Sequence, residues 1–298
     1  MLASPAMRGT TTISWFAAAA LIGCGPAPRD RTSGDDVDSG SGSGGDGSVD
    51  PSNCAQGTDL VYVIDQLNNR LSQFDPMARQ FHDLGSLSCP TMLGATPFSM
   101  GVDRNAFAWV LYNSGELMHV DIATLACTGT TWASPSGLHV FGMGFSTDQA
   151  GGQDEHLYVG GGQMQVQGSY TLAKVDTTTM MATPIGTQSD LPEMTGTGSA
   201  QLWGFQTDAS TAHVVQFDKT SGAVITTYPE PSLAGTGTGY AFAAWGGDFW
   251  VFLIKNGEPS TTVYQIDGTS GAIKGTTPTT GRTIVGAGVS TCAPTVIQ

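Results

Sequence analysis

An aromatic residue within a short apolar run recurs five times along the chain at nearly constant spacing. The five residues are Tyr62, Trp109, Tyr158, Trp203 and Trp250, separated by steps of 47, 49, 45 and 47 residues. An Asp preceded by a hydrophobic residue follows each aromatic after 12 to 18 residues, at Asp75, Asp121, Asp176, Asp218 and Asp267. A period in the forties that contains only strand-like segments predicts a β-propeller with one four-stranded blade per repeat.

The second repeat shows how one blade divides into strands. Residues 98–103, 107–112, 116–122 and 127–132 are apolar segments separated by turn residues, and we assign them as strands a, b, c and d. Phe107, Trp109 and Leu111 alternate with smaller or opposite-facing residues, which is the two-residue period of a strand. Such a small sheet buries both faces only when it is stacked between neighbours, and the repeated aromatic has the right size to fill each gap.

The ends of the repeat predict how the ring closes. Inner strands a are expected at 98–103, 138–146, 194–199, 240–245 and 284–290. The last of these has no strands b to d after it, whereas the first strand b, 60–65, has no strand a before it. We therefore expect the C-terminal strand to complete the first blade, which removes exposed sheet edges. The prediction is an all-β protein with a single five-bladed β-propeller.

The first 53 residues read as export and attachment sequence. Arg8 and the apolar run 13–22 are typical of a signal peptide. Leu21-Ile22-Gly23-Cys24 resembles the bacterial lipobox, which implies cleavage before Cys24 and its acylation, including palmitate. The true start is Met1 or Met7. Gly25 after the cysteine favours the outer membrane. We assign 1–23 as a lipoprotein signal peptide, 24–53 as a lipidated, disordered Gly/Ser/Asp-rich tether and 54–298 as the propeller domain.

Charge restricts the classes of partner. The formal net charge is −14 and the 11 basic residues are scattered, which argues against nucleic acid and against direct binding of anionic lipid head groups. Membrane residence is therefore expected through the N-terminal lipid alone. The Asp-rich tether lacks the ligand spacing of a calcium loop, the five His residues stand singly, and we expect neither a metal nor another cofactor.

Four cysteines remain once Cys24 is set aside. An even number in an exported chain predicts two disulfides, with three connectivities open. Cys54 precedes the first strand b and Cys292 follows the last strand a, so the closed ring would bring them together. Cys89 and Cys127 then pair by elimination and join adjacent blades.

Propeller ligands usually lie over the central channel, on the face that carries the d–a connections and b–c turns. The aromatic candidates on this face are Trp132, Tyr170 and Tyr240, whose rings could stack on a sugar or a partner side chain or could simply pack over the ends of the sheets. Asp190 and Glu193 are its acidic candidates and are assigned to one d–a loop.

Five-bladed glycoside hydrolases use carboxylates of this kind, so a polysaccharide-active enzyme is the alternative function. No third carboxylate is placed beside Asp190 and Glu193. Asp103, Asp148 and Asp248 fall in a–b turns at the opposite face, and no Ser/His/Asp arrangement is visible. We therefore assign no catalytic residue.

The lipobox and the repeats, with segments 97–103, 201–205, 240–252 and 282–294, give the chain a resemblance to bacterial lipoproteins that carry an exported β-propeller. The resemblance implies fold and location and transfers no activity. The expected function is that of a monomeric, membrane-anchored, non-enzymatic module, on the cell surface or in the periplasm, that binds a glycan or an envelope protein.

Overall fold

Five four-stranded antiparallel sheets, the blades, form a ring. The strands of each blade are ordered from the inside of the ring to the outside. The structure is a computed structural model that describes residues 53–134, 137–163, 168–235 and 237–297. Cys24, the predicted signal peptide and nearly all of the predicted tether lie outside these residues. The predicted all-β, five-bladed propeller is confirmed.

In blades 2 to 5 four consecutive strands run from the inner to the outer position, and in blade 1 the C-terminal strand takes the inner position. Blade 1 contains β20 (Ile284–Val289), β1 (Val61–Asp65), β2 (Arg70–Asp75) and β3 (Gln80–Ser86). Blade 2 contains β4 (Pro97–Val102), β5 (Phe107–Tyr112), β6 (Leu117–Asp121) and β7 (Cys127–Gly129). Blade 3 contains β8 (Val140–Thr147), β9 (Glu155–Gly162), β10 (Tyr170–Asp176) and β11 (Met181–Gln188). Blade 4 contains β12 (Pro192–Gly196), β13 (Leu202–Thr207), β14 (Ala212–Phe217) and β15 (Val224–Pro229). Blade 5 contains β16 (Gly237–Trp245), β17 (Asp248–Lys255), β18 (Thr262–Asp267) and β19 (Ile273–Pro278). A 3₁₀ turn, Pro231–Leu233, precedes blade 5.

The C-terminal strand closes the ring in the predicted way. β20 pairs antiparallel with β1, with Val61 opposite Val289 and Val63 opposite Ala287. β20 also packs against the inner strands of blades 2 and 5. The first blade therefore takes its inner strand from the far end of the chain, so unfolding of either terminus opens the ring.

The repeated aromatics fill the spaces between blades. Tyr62, Trp109, Tyr158, Trp203 and Trp250 lie on the second strand of their blades and are at most 6% exposed. Between blades 5 and 1, for example, the ring of Trp250 lies edge-on to Phe74 with centroids 5.3 Å apart. The hydrophobic core is thus a set of inter-blade clusters, and this explains why the aromatic marker recurs with the period of the blade.

The recurring aspartates shape the turn between the third and fourth strands of each blade. In all five repeats Oδ1 accepts hydrogen bonds from the backbone N–H groups two and three residues later. This is an Asx-type turn, in which the carboxylate satisfies backbone donors that no strand partner can reach. The marker is structural in every blade.

Both predicted disulfides are present. Cys54 is bonded to Cys292, with Cα atoms 6.0 Å apart, and Cys89 is bonded to Cys127, with Cα atoms 5.1 Å apart. The first joins the entry of the propeller to its exit, and the second joins the connection after blade 1 to the outer strand of blade 2. Two structural disulfides are typical of an oxidising compartment reached by export.

Several strand boundaries differ from the sequence prediction. The outer strand of blade 2 ends at Gly129, three residues earlier than expected. The inner strand of blade 4 runs over Pro192–Gly196 and ends before the predicted 194–199 segment does. Thr197 begins a tight turn there, since its carbonyl accepts a hydrogen bond from the N–H of Ala200. In the described part of the chain, no helix has the length and apolar character needed to cross a membrane.

Candidate ligand-binding site

The inner strands approach one another closely because glycines replace side chains at their contacts. A β-carbon at Gly142 would lie 2.1 Å from the carbonyl oxygen of Pro192, and one at Gly286 would lie 2.7 Å from the amide nitrogen of Met100. Across the ring, Cα atoms of β20 come within 8 Å of β8 and β12. The middle of the channel is therefore narrow, and space for a ligand is found at its ends.

A cavity of about 230 Å³ lies at one end of the channel, on the face that carries the d–a connections and b–c turns. We call it the channel-mouth cavity. Four of the five inner strands contribute to it near their N-terminal ends. It is lined by Gln66, Phe98, Leu191, Glu193, Gly237, Gly239, Tyr240 and Val285. Residues from four blades thus converge on one small, largely apolar space.

A second and larger space, the side cavity, adjoins it and is lined by residues of blades 3, 4 and 5. Its volume is about 650 Å³. Turns at the ends of blades 3 and 4 supply its hydroxyl, carboxylate and aromatic groups, namely Tyr170, Ser189, Asp190, Thr207, Asp208 and Ser210. Leu191, Gly237 and Tyr240 line both cavities, so the two spaces share a wall and Tyr240 stands between them.

Glu193 is the buried acid of the channel-mouth cavity. Its residue is 4% exposed, and the hydroxyl of Ser99 donates a hydrogen bond to Oε2 at 2.9 Å. Oε1 has no hydrogen-bond partner among the described residues. Burial raises the pKa of this carboxyl well above its usual value, although the Ser99 hydrogen bond acts in the opposite direction. Glu193 therefore keeps its proton to a higher pH than an exposed glutamate does.

Tyr240 is held in place by its hydroxyl and its ring. The hydroxyl donates to the carbonyl oxygen of Leu191 at 3.1 Å, and the ring lies edge-on to Phe205 with centroids 5.9 Å apart. Burial, followed by the nearby acids Glu193 and Asp190 and by Tyr170, raises the pKa of the phenol. Tyr240 thus presents a neutral, fixed aromatic ring to the two cavities.

The side cavity carries an ionised aspartate. Asp208 Oδ1 accepts hydrogen bonds from the backbone N–H groups of Ser210 and Thr211, and these bonds lower its pKa to about 2. Beside it, the Asp190 carboxylate accepts a hydrogen bond from Ser189 Oγ at 2.6 Å. The polar wall of the side cavity is thus rich in acceptors.

The structure brings four of the five predicted ligand-face residues together. Tyr170, Asp190, Glu193 and Tyr240 all line the two cavities. Trp132 is 8% exposed and packs edge-on against Phe141 with ring centroids 5.4 Å apart, so it lies in the core between blades 2 and 3 and lines neither cavity.

The placement of Glu193 corrects its assignment to a loop. It is the second residue of β12, opposite Phe205 of β13, whereas Asp190 remains in the connection before the strand. The strand begins earlier than expected because Pro192 packs against the blade 3 backbone at Gly142. The shift takes Glu193 out of solvent and changes its chemistry from that of a loop carboxylate to that of a buried acid.

Gln66, Phe98, Ser99 and Asp208 belong to the site and escaped the sequence prediction. Gln66 Nε2 donates to the carbonyl oxygen of Pro97 at 3.4 Å and so connects the turn of blade 1 to the inner strand of blade 2. Phe98 and Ser99 lie near the start of the inner strand of blade 2, as Glu193 does in blade 4. Comparison of the repeats could therefore have identified them. Asp208 had a local signal in the Asp-Ala-Ser-Thr sequence of an Asx turn.

The opposite face carries two other cavities. One of about 260 Å³ is lined by Trp203, Trp245 and Asp248 and by C-terminal residues 293–296. Asp248 there accepts hydrogen bonds from Lys274 and Gln265. The other, of about 410 Å³, contains Asp103 and Asp148. The three a–b turn aspartates are thus on the face predicted for them, away from Glu193.

Comparison with known proteins gives only distant structural likeness. No protein-family model matches the sequence, and no curated protein is significantly similar to it. A protein of unknown function from Bacteroides caccae is 10% identical, covers 77% of this chain and 97% of its own, and has a TM-score of 0.43. A luciferin-regenerating enzyme is 9% identical over 76% of this chain and 74% of its own, with a TM-score of 0.45.

A regucalcin from Agrobacterium tumefaciens, described as a calcium-binding protein, is 13% identical over 77% of this chain and 72% of its own, with a TM-score of 0.38. Similarity at this level carries no information about what the present chain binds or catalyses.

Proposed function

We propose that this protein is an exported, lipid-anchored, monomeric β-propeller that binds a glycan in the channel-mouth and side cavities without transforming it. The main support is that four predicted ligand-face residues line two adjoining cavities. Tyr240 forms part of the wall that the two cavities share. The lipobox at Leu21–Cys24 supports attachment through acylated Cys24, at the outer membrane as Gly25 favours. The two disulfides support export.

Shape and chemistry favour a saccharide over a flat partner surface. The side cavity has a volume of about 650 Å³, within the range of small-molecule sites. Its wall combines the Tyr170 and Tyr240 rings, which can stack on sugar faces, with acceptors such as Asp190 and Asp208 for sugar hydroxyls. An envelope protein is the alternative ligand, and it would have to insert a loop or side chain to reach Glu193.

The proposal is tested on residues 25–298, which omit the lipid attachment site and keep every described residue. Binding is measured on a glycan array and then by calorimetry for each hit. We expect Tyr170→Ala to weaken a saccharide hit about tenfold or more, since stacking and burial of one aromatic contribute roughly 1–2 kcal/mol.

Asp208→Asn and Asp148→Asn form a matched pair for this test. Both remove one carboxylate charge, but only Asp208 lines the side cavity, while Asp148 lies on the opposite face. Weaker binding in Asp208→Asn alone supports the site. Equal effects of the two variants, or a blank array together with a protein crosslinked in intact envelopes, would refute glycan binding at these cavities.

One observation favours the enzymatic alternative. Glu193 is a buried carboxyl with a raised pKa, and such a group can act as a general acid for glycosidic cleavage, with Asp190 as the second carboxylate. In that case Glu193→Gln would abolish release of reducing sugar from a bound polysaccharide while the fold persists. A bound hit that remains intact after prolonged incubation with the wild-type protein supports the binding function.

A further inference from the structure

The two cavities have a strongly one-sided charge distribution. Glu193, Asp190 and Asp208 line them, and among the described lining residues there is no Lys, Arg or His. Lys255 passes beside Gly235 at the rim of the side cavity, but its Nζ donates to the carbonyl oxygen of Ser232 at 2.8 Å. An anionic ligand inside either cavity would face these carboxylates with only Lys255 at the rim to offset them, so anionic glycans are disfavoured.

The burial and hydrogen bonding of Glu193 are a second observation. Only 4% of this residue is exposed, and it lines the channel-mouth cavity. Ser99 supplies one hydrogen bond to Oε2, and Oε1 has no partner among the described residues. Oε1 is not among the described side-chain atoms that are fully buried without a partner, so it reaches the cavity and can accept a hydrogen bond from a ligand donor there.

The remaining walls of the channel-mouth cavity suit a positive charge. Phe98 and Tyr240 place two aromatic rings beside the same space that Glu193 lines. Aromatic faces attract cations, and a carboxylate with one or more rings is a recurrent arrangement for ammonium groups. A cavity of about 230 Å³ has room for such a group and little more than the end of a sugar ring.

From this combination we infer that the ligand is an amino sugar whose unacetylated, protonated amine enters the channel-mouth cavity against Glu193, while the adjoining saccharide occupies the side cavity. The inference rests on the proposed glycan-binding function and names the class of glycan. Glu193 contacts the ammonium, Phe98 and Tyr240 enclose it, and Ser99 positions the carboxylate.

Binding of a cation is then coupled to release of a proton. Burial keeps Glu193 protonated in the free protein to a pH above the usual range of glutamate because its pKa is raised, and an ammonium ligand stabilises the ionised form. Among titratable groups, Tyr240 interacts with Glu193, and Tyr170 and Asp190 interact in turn with Tyr240. A fixed-charge cation should therefore bind more tightly as pH rises, until Glu193 is ionised in the free protein.

The experiment compares two oligosaccharides that differ only in acetylation. Glucosamine and N-acetylglucosamine tetramers are titrated into residues 25–298 by calorimetry at a series of pH values from mildly acidic to neutral, because the amine must be protonated and Glu193 must be able to ionise. We expect the glucosamine tetramer to bind about tenfold or more tightly, equivalent to ~1.4 kcal/mol. Glu193→Gln should remove most of this preference, and Asp148→Asn should leave it unchanged.

Tetramethylammonium serves as a third probe, since its charge does not depend on pH. Its binding should release protons, measured in buffers of different ionisation enthalpy, and Glu193→Gln should abolish that release. Circular dichroism and thermal unfolding establish that the variant is folded. Ser99→Ala, which removes only the Oε2 hydrogen bond, should weaken the preference without eliminating it.

The outcomes separate the inference from the function on which it rests. Equal binding of the two tetramers, unaffected by Glu193→Gln, overturns the amine inference and leaves glycan binding intact. Binding of tetramethylammonium or of a lysine-containing peptide, with no saccharide bound, overturns glycan binding and retains the cation site. If no probe binds, the amine inference is wrong, and a blank glycan array would then also refute glycan binding.

Discussion

Cys54 and Cys292 are 238 residues apart in sequence and are joined by a disulfide beside the pairing of β1 with β20. Arg104 from blade 2 lies next to this bond, with its guanidinium 3.7 Å from the sulfur of Cys292. The bond therefore holds together the two chain ends whose strands complete blade 1, the position at which a propeller ring is weakest.

Removing this disulfide should destabilise the protein more than removing the other one. In the chain-entropy model a crosslink across 238 residues stabilises by about 5 kcal/mol, and the 38-residue Cys89–Cys127 crosslink by about 4 kcal/mol. We expect a larger loss of the free energy of unfolding in Cys54→Ser/Cys292→Ser than in Cys89→Ser/Cys127→Ser. Urea denaturation of both double variants measures it, and an equal or reversed order would contradict a closing role.

Arg282 provides a second, non-covalent closure. It donates to Asp83 Oδ1 at 2.7 Å and covers the Phe81 ring with its guanidinium carbon 4.5 Å from the centroid. We expect Arg282→Ala to lower the free energy of unfolding at neutral pH by roughly 1–2 kcal/mol, mostly from lost stacking, since the ion pair is partly exposed. Arg79→Ala is the control, because it removes a charge and a hydrogen bond to Gln265 of blade 5 without any contact to Asp83.

The ion pair between Arg282 and Asp83 also predicts that the protein loses stability at acidic pH. Burial opposes ionisation, but hydrogen bonds from Arg282, Ser72 and Arg70 outweigh it and lower the pKa of Asp83 to about 2. A lowered pKa stabilises the fold above the unfolded value of about 4, and this contribution is lost as pH falls from about 4 to 2. The loss should be smaller in Arg282→Ala, and an unchanged pH profile would exclude the pair as its source.

Glu230 is a destabilising buried acid. It is 3% exposed, Oε1 has no hydrogen-bond partner in the described structure, and burial raises its pKa to about 7. The unfolded chain ionises this group above pH ~4.3 and the folded chain only near pH 7, so stability falls as pH rises between these values.

Glu230→Gln should therefore raise the free energy of unfolding by roughly 1–3 kcal/mol above pH 7 and have little effect below pH 4. Thermal unfolding across this range measures the difference. Glu258→Gln, which removes a charge from an exposed turn, is the control variant. A gain independent of pH would mean that packing, and not ionisation, is responsible.

The turn aspartates should tolerate amide replacement better than truncation. Asp218 Oδ1 accepts the N–H groups of Thr220 and Ser221, and an asparagine retains that acceptor. We expect Asp218→Ala to be clearly less stable than Asp218→Asn in chemical denaturation. The N–H of Ser221, its hydroxyl and the N–H of Thr220 lower the pKa of Asp218, so the stabilisation present above its unfolded pKa is lost on acidification. Equal stability of the two variants would show that the hydrogen bonds are unimportant.

Lipid attachment is tested at Cys24. Cys24→Ser in the full-length chain should abolish incorporation of labelled palmitate and move the protein from the membrane fraction to the soluble fraction, because no other part of the predicted anchor carries a lipid. The Cys89→Ser/Cys127→Ser double variant, which removes two cysteines and leaves no unpaired thiol of that disulfide, is the control and should remain in the membrane. Palmitate labelling that persists in Cys24→Ser would refute the predicted attachment site.

Much of the architecture was encoded locally. The alternation around Trp109, the recurrence of the aromatic marker and the turn aspartates are short-range patterns, since side-chain direction in a strand depends only on position along it. They were sufficient to predict five blades, and the missing first inner strand was sufficient to predict the β20–β1 pairing. The pairing of Cys54 with Cys292 followed because closure brings the chain ends together.

The site was decided by the tertiary structure. Glu193 became a buried acid only because β12 begins two residues early against the blade 3 backbone, a contact between segments about 50 residues apart. Gln66, Phe98 and Tyr240 come from three blades and meet only where the inner strands begin at the channel mouth. Trp132 was predicted to lie on the ligand face, but its ring packs against Phe141 and is therefore part of the core. Strand periodicity is a property of neighbouring residues, whereas burial and convergence depend on which distant segments the ring brings together.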